Sequence, residues 1–174
     1  PKLMLWACQF ALSNDIESLY VIQFIQANHQ LIGNTDYHIK QWPWPVRITT
    51  LGRFHLELDA GNIYGENKHD GRPLQLLRLI IPHSGTLAIN EAANTLYPDQ
   101  DNKRRLSLLS KHLYRLRGLL GNDKVILRCE NTLHLNRKLC WLDTDAFEAL
   151  INQKSVDASI QALKLYCGEY MPME

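Results

Sequence analysis

The stretch from Lys103 to Leu120 restricts the fold more than any other part of this sequence. Leu106, Leu109, Leu113, Leu116 and Leu120 recur there at alternating spacings of three and four, the signature of one buried face of an α-helix. The other faces carry charge. Between residues 102 and 128, Lys103, Arg104, Arg105, Lys111, Arg115, Arg117, Lys124 and Arg128 stand against Asp123 alone, eight cations to one acid, or +7. Residues 143–174 reverse the balance, two lysines against six acids, or −4, and the whole chain sums to +1. A helix of this kind needs a hydrophobic partner on its leucine side. Its opposite side is either a solvated face or a surface for an anion, for which the phosphate backbone of nucleic acid is the usual candidate.

The flanking sequence supplies the partners. Residues 2–12 and 15–32 read as two helices of an antiparallel pair, with Ser13 and Asn14 as N-cap residues for the second. Residues 33–45, with Pro43 and Pro45, break the pattern and read as a linker, with a domain boundary near Trp42. From Val46 to Asp59 the residues alternate, Phe54, Leu56 and Leu58 one way and Arg53, His55, Glu57 and Asp59 the other. That alternation is a half-buried strand, separated from Val46–Leu51 by Gly52. Ala60, Gly61 and Asn62 turn into a third short strand at Ile63 and Tyr64. Pro73 opens a helix whose Leu76, Leu77, Ile80 and Ile81 form an apolar face, and a second helix spans about Ile89–Tyr97. After the leucine-striped helix, Val125–Arg128 and Thr132–Leu135 flank a turn at Glu130 and Asn131 as a hairpin. Two further helices are expected over 145–151 and 155–167.

This order predicts an α+β fold: an N-terminal antiparallel β-sheet, three helices, the last long and basic, and a C-terminal β-hairpin. It is the order of a winged helix-turn-helix, flanked here by α-helices. In that fold the third helix enters the major groove and the hairpin wing lies on the backbone or in the minor groove. Ser107, Ser110, Lys111 and Tyr114 lie off the leucine stripe, where hydroxyls and an ammonium reach base edges or phosphates. Arg104 and Arg105 add cationic reach at the helix start, while Arg115 and Arg117 are placed for phosphates or for an acidic residue of the same domain. Arg128 and Asn131 stand on the wing.

Other chemistries find little support. The four cysteines, Cys8, Cys129, Cys140 and Cys167, form no C-x-x-C pair and have no histidine at metal-ligand spacing, so free structural thiols are expected, with no metal and no cofactor. There is no G-x-S-x-G, Walker A or H-E-x-x-H sequence, and the pairings His112 with Cys129 or His134 with Cys140 and Asp143 read as ordinary structural residues, so no enzyme is expected. No run approaches the 18 or more apolar residues of a membrane span, and residues 1–10 lack the pattern of a signal peptide. The chain reads as soluble and cytoplasmic, without a membrane partner. An opening Pro in place of Met reads as a piece of something longer.

The segments RPLQLLRLIIPHSG, LYPDQDNKRRLSLLSKHLYRLRGLLGND and LNRKLCWLDTDAFEAL resemble the DNA-binding domain of SARP-type bacterial transcriptional activators, which is of the OmpR/PhoB type. ALKLYCGEYMP is similar to the first helix of the activation domain that follows it in that family. WPWPVRITTLGRF resembles the joint found in large regulators where a switch ATPase and a tetratricopeptide-like array precede such a domain. The resemblance implies 1–32 as the end of that array, 33–45 as linker, 46–142 as the DNA-binding domain and 143–174 as the start of the activation domain. It places the recognition helix on Asn102–Leu120 and the wing on 123–135, with Trp141, Asp143 and Phe147 at the strand-to-helix junction that follows. The implied function is sequence-specific binding of double-stranded DNA as the output of a signal-transducing transcription regulator. RNA polymerase and a second protomer on direct repeats are the further partners it implies. The competing reading is a winged-helix module that docks an acidic protein and no longer binds DNA, and salt dependence separates the two.

Overall fold

Alternation between Val46 and Leu58 gives two short strands, because every second side chain is buried and the intervening ones are half-exposed. The computed structural model describes residues 2–28, 31, 39–59, 61, 63–64 and 71–171, the last pair before the gap by backbone alone. Residues 29, 30 and 32 of the expected second helix, 33–38 of the expected linker, and Ala60 and Asn62 of the expected turn lie outside the described residues. The chain divides into two units, one made of Pro1–Glu66 and Arg137–Glu174, the other of Asn67–Asn136. Residues 46–142 contribute to both. Helices and sheets are both present, as an α+β chain requires.

The first unit contains a four-stranded sheet in the order β3-β2-β1-β7, with β1 (Val46–Thr49), β2 (His55–Leu58), β3 (Ile63–Tyr64) and β7 (Cys140–Leu142). The hairpin pairs antiparallel, Val46 with Leu58 and Thr49 with His55, whereas β7 joins β1 in parallel. Arg47 and Glu57 face each other across the hairpin and close an ion pair at 3.3 Å. α1 (Lys2–Ser13) packs against α2 (Ser18–Ala27), burying Cys8, Leu12 and Ile25 in a cluster with Trp42, Trp44 and Trp141. Along the outer face of α1, Leu3, Trp6 and Phe10 stay exposed, with the Trp6 and Phe10 rings stacked 5.5 Å apart. Ser13 and Asn14 do not cap the second helix. α1 runs through Ser13, and the Asn14 side-chain amide donates back to the Phe10 carbonyl at 2.8 Å, so it finishes the first helix.

α6 (Asp143–Asn152) and α7 (Val156–Leu165) pack through Leu150, Ala158 and Ala162. The Ser155 hydroxyl caps α7 by accepting from the Ala158 amide at 3.2 Å. α6 starts two residues earlier than its sequence pattern predicts, because the buried Asp143 carboxylate is fixed by the loop after β1. The tail past α7 is stitched to that same loop: Gly52 donates to the Glu169 carbonyl and Met171 to the Thr50 carbonyl, each at 2.7 Å. Gly52 sits at φ +95°, and a β-carbon there would meet the Cys167 backbone at 2.8 Å, so the crossing requires glycine.

The second unit is a three-helix arrangement with a small sheet. α3 (Arg72–Ile80), α4 (Ile89–Leu96) and α5 (Asn102–Leu119) pack pairwise. Their shared core takes Leu76, Leu77 and Ile80 from α3, Ala92, Ala93 and Leu96 from α4, and Leu109, Leu113 and Leu116 from α5. The expected hairpin forms as β5 (Ile126–Cys129) and β6 (Thr132–Leu135), turning through Glu130 at φ +49° and Asn131. A third strand, β4 (Thr86–Ala88), pairs with β6 and gives the order β4-β6-β5. Among the described residues no helix is long and apolar enough to cross a membrane.

Candidate nucleic-acid interface

α5 begins where the Asp101 carboxylate accepts from the Arg104 amide at 3.1 Å, a side-chain cap that contributes about 1 kcal/mol. The helical repeat then sorts its residues. Leu109, Leu113 and Leu116 turn into the core, while Arg104, Ser107, Lys111 and Tyr114 follow one another at spacings of three, four and three on the opposite side. All four are exposed, Tyr114 by 79%. Asp101, Lys103, Arg104, Ser107, Leu108 and Lys111 line a shallow depression over the first two turns. Lys103 and Arg104 sit at the positive end of the helix dipole, a placement that is unfavourable for the isolated helix and favourable for a bound anion.

The ten residues singled out from the sequence separate into two groups. Arg104, Ser107, Lys111 and Tyr114 form the outward face, with Ser110 and Arg115 exposed at its edges. Arg128 on β5 and Asn131 in the turn are exposed on the hairpin, and the Asn131 carbonyl accepts from the Ile89 amide at 2.8 Å, tying the turn to the start of α4. Arg105 and Arg117 are held by the unit itself. The Arg105 guanidinium donates to Asn94 Oδ1 at 2.7 Å and to the Pro98 carbonyl at 2.6 Å, joining α5 to the end of α4. Arg117 donates through Nε and Nη2 to the Ile126 carbonyl at 3.0 and 2.8 Å, joining α5 to β5. Lys103, which lines the depression, is an exposed cation that the helical pattern did not single out, although the charge count included it.

Behind this face lies a polar cluster. His112 Nδ1 is 2.6 Å from the Tyr97 hydroxyl and 2.9 Å from the Leu108 carbonyl, so it donates to the carbonyl when it carries a proton and accepts from the tyrosine when it does not. The Arg72 guanidinium lies 5.7 Å from the centre of the Tyr97 ring. Burial pushes the His112 imidazole below its ordinary range against the pull of the Leu108 carbonyl, and the Arg115, Lys111 and Arg72 charges push the same way as burial. Burial raises the Tyr97 phenol, partly offset by Arg72.

All four cysteines are free, Cys8 and Cys140 buried and Cys129 and Cys167 exposed, and burial pushes the Cys140 thiol up to about 12. Among the described residues no group of histidine, cysteine, aspartate and glutamate could hold a metal ion. No protein-family model and no curated protein matches this sequence.

Proposed function

We propose that the second unit is a winged helix-turn-helix that binds double-stranded DNA, with α5 in the major groove and the β5–β6 hairpin as the wing. One observation carries the reading: the outward face of α5 presents Arg104, Ser107, Lys111 and Tyr114, all exposed, on a helix with no acidic residue between Asn102 and Leu119. Hydroxyls and a lysine in that row suit base edges and phosphates, and Arg128 with Asn131 extends the surface on the hairpin. The resemblance to SARP-type activators supports the same assignment and makes the chain an output module of a bacterial transcription regulator, acting with RNA polymerase and a second protomer on direct repeats.

Fluorescence anisotropy of the whole chain on duplex DNA, across a salt series, tests this. Affinity is expected to fall steeply with salt, and Lys111→Ala and Arg104→Ala are each expected to weaken binding and to reduce the salt slope by about one. Absence of binding at low salt, or binding indifferent to both substitutions, overturns the reading and leaves α5 as a docking surface for an acidic protein.

A further inference from the structure

We infer that the first unit holds a binding site for a small oxyanion, a phosphate- or carboxylate-bearing metabolite, on the half-exposed face of its sheet. The register sets Arg47, Thr49, His55, Glu57 and Trp141 on one side of the sheet, because Arg47 lies opposite both Glu57 and Trp141 and Thr49 opposite His55. Above them is a cavity of about 260 Å³, further walled by Lys40, Arg53 and Cys167. That volume lies just below the usual range for small-molecule pockets of about 300–1,000 Å³, which suits a compact ligand.

Its chemistry selects the ligand. Lys40, Arg47 and Arg53 are three cations against the single carboxylate of Glu57, so the lining is +2 before His55 is counted. Arg47 is fixed in place, donating to Glu57 at 3.3 Å and to the Trp42 carbonyl at 3.1 Å. The Lys40 ammonium stands 5.8 Å from the centre of the Trp141 ring, held against the wall. Two polar atoms of lining residues, Trp141 Nε1 and His55 Nδ1, are buried and make no hydrogen bond. Buried polar atoms are normally paired with protein or ordered water, so each of these two has capacity left for a partner that the protein does not supply. The far wall is also built: Cys167 is pinned beside Gly52 by the backbone bonds that tie the tail to the loop after β1.

Tryptophan emission tests this apart from the DNA-binding reading, since all four tryptophans, Trp6, Trp42, Trp44 and Trp141, belong to the first unit and α5 to the second. The whole chain is titrated with inorganic phosphate and with glycerol 3-phosphate, using chloride at matched ionic strength as control. A saturable change in emission is expected with both phosphates and not with chloride. Lys40→Gln and Arg53→Gln, both at exposed positions, are each expected to weaken it at least fivefold while circular dichroism shows the fold retained. Lys111→Ala is expected to leave it unchanged. A response that chloride reproduces, no response to either phosphate, or a response that survives both substitutions in the folded protein overturns the site.

Discussion

Asp143 takes both the amide and the hydroxyl of Thr50, 93 residues earlier in the chain, each at 2.7 Å. The same carboxylate accepts from the Leu51 amide at 2.8 Å and from the Thr144 amide at 2.9 Å, so four donors surround a fully buried charge. Removing a buried acceptor of this kind leaves several donors unsatisfied. Asp143→Ala is expected to cost about 3 kcal/mol and Thr50→Val about 1 kcal/mol, read as shifts in the urea midpoint. Equal midpoints for wild type and Asp143→Ala would show that water satisfies the loop as well as the carboxylate does.

Arg117 and Lys111 are both cations of α5 but stand in opposite settings. Arg117→Ala is expected to lower stability by about 1–2 kcal/mol, because the Ile126 carbonyl loses a charged donor, and to leave the salt slope of the proposed DNA binding unchanged. Lys111→Ala is expected to do the reverse. Paired denaturation and anisotropy measurements on the two variants decide it.

Acid destabilises through His112. Its folded-state value lies below the unfolded one of 6.5, so the unfolded chain takes up the proton more readily. Its contribution is therefore complete above about pH 6.5 and is lost as the pH falls from there through the folded-state value. Denaturation between pH 7.5 and 5 is expected to show a decline in the wild type that is shallower in His112→Gln. Parallel profiles would remove His112 as the cause.

The thiols titrate in two classes. Cys129 and Cys167 are expected to react quickly with an aromatic disulfide reagent, and Cys8 and Cys140 only after denaturant, since both thiols are buried and raised. Four equal rates would contradict the burial pattern.

The leucine stripe, the hairpin and the helix after Pro73 were legible because each depends on local periodicity or on a turn residue. β4 and the parallel pairing of β7 with β1 were not, because three-residue strands carry no period and their partners lie far away in sequence. The start of α6 was missed for the same reason: what fixes it is Thr50, and no local pattern announces a partner 93 residues off. In the candidate interface, the outward face of α5 follows directly from helical spacing. The separation of Arg105 and Arg117 from Arg104 and Lys111 does not. Each guanidinium is taken by a nearby acceptor, Asn94 and Pro98 for one and Ile126 for the other, and only three-dimensional proximity reveals that.

The sheet of the first unit is interrupted in the chain by the whole of the second, and β7, which completes it, is its last strand to be made. On the ribosome, α3, α4, α5 and the β5–β6 hairpin have all been synthesised before β1 meets its parallel neighbour or Thr50 meets Asp143. That long closure carries an entropic cost growing with the logarithm of the intervening length, and pairings of this range form slowly. A nascent chain stalled before Cys140 therefore holds every residue of the second unit and an unfinished edge on β1, so arrest-length profiling should show the basic helix protected from protease before the tryptophan-bearing sheet is.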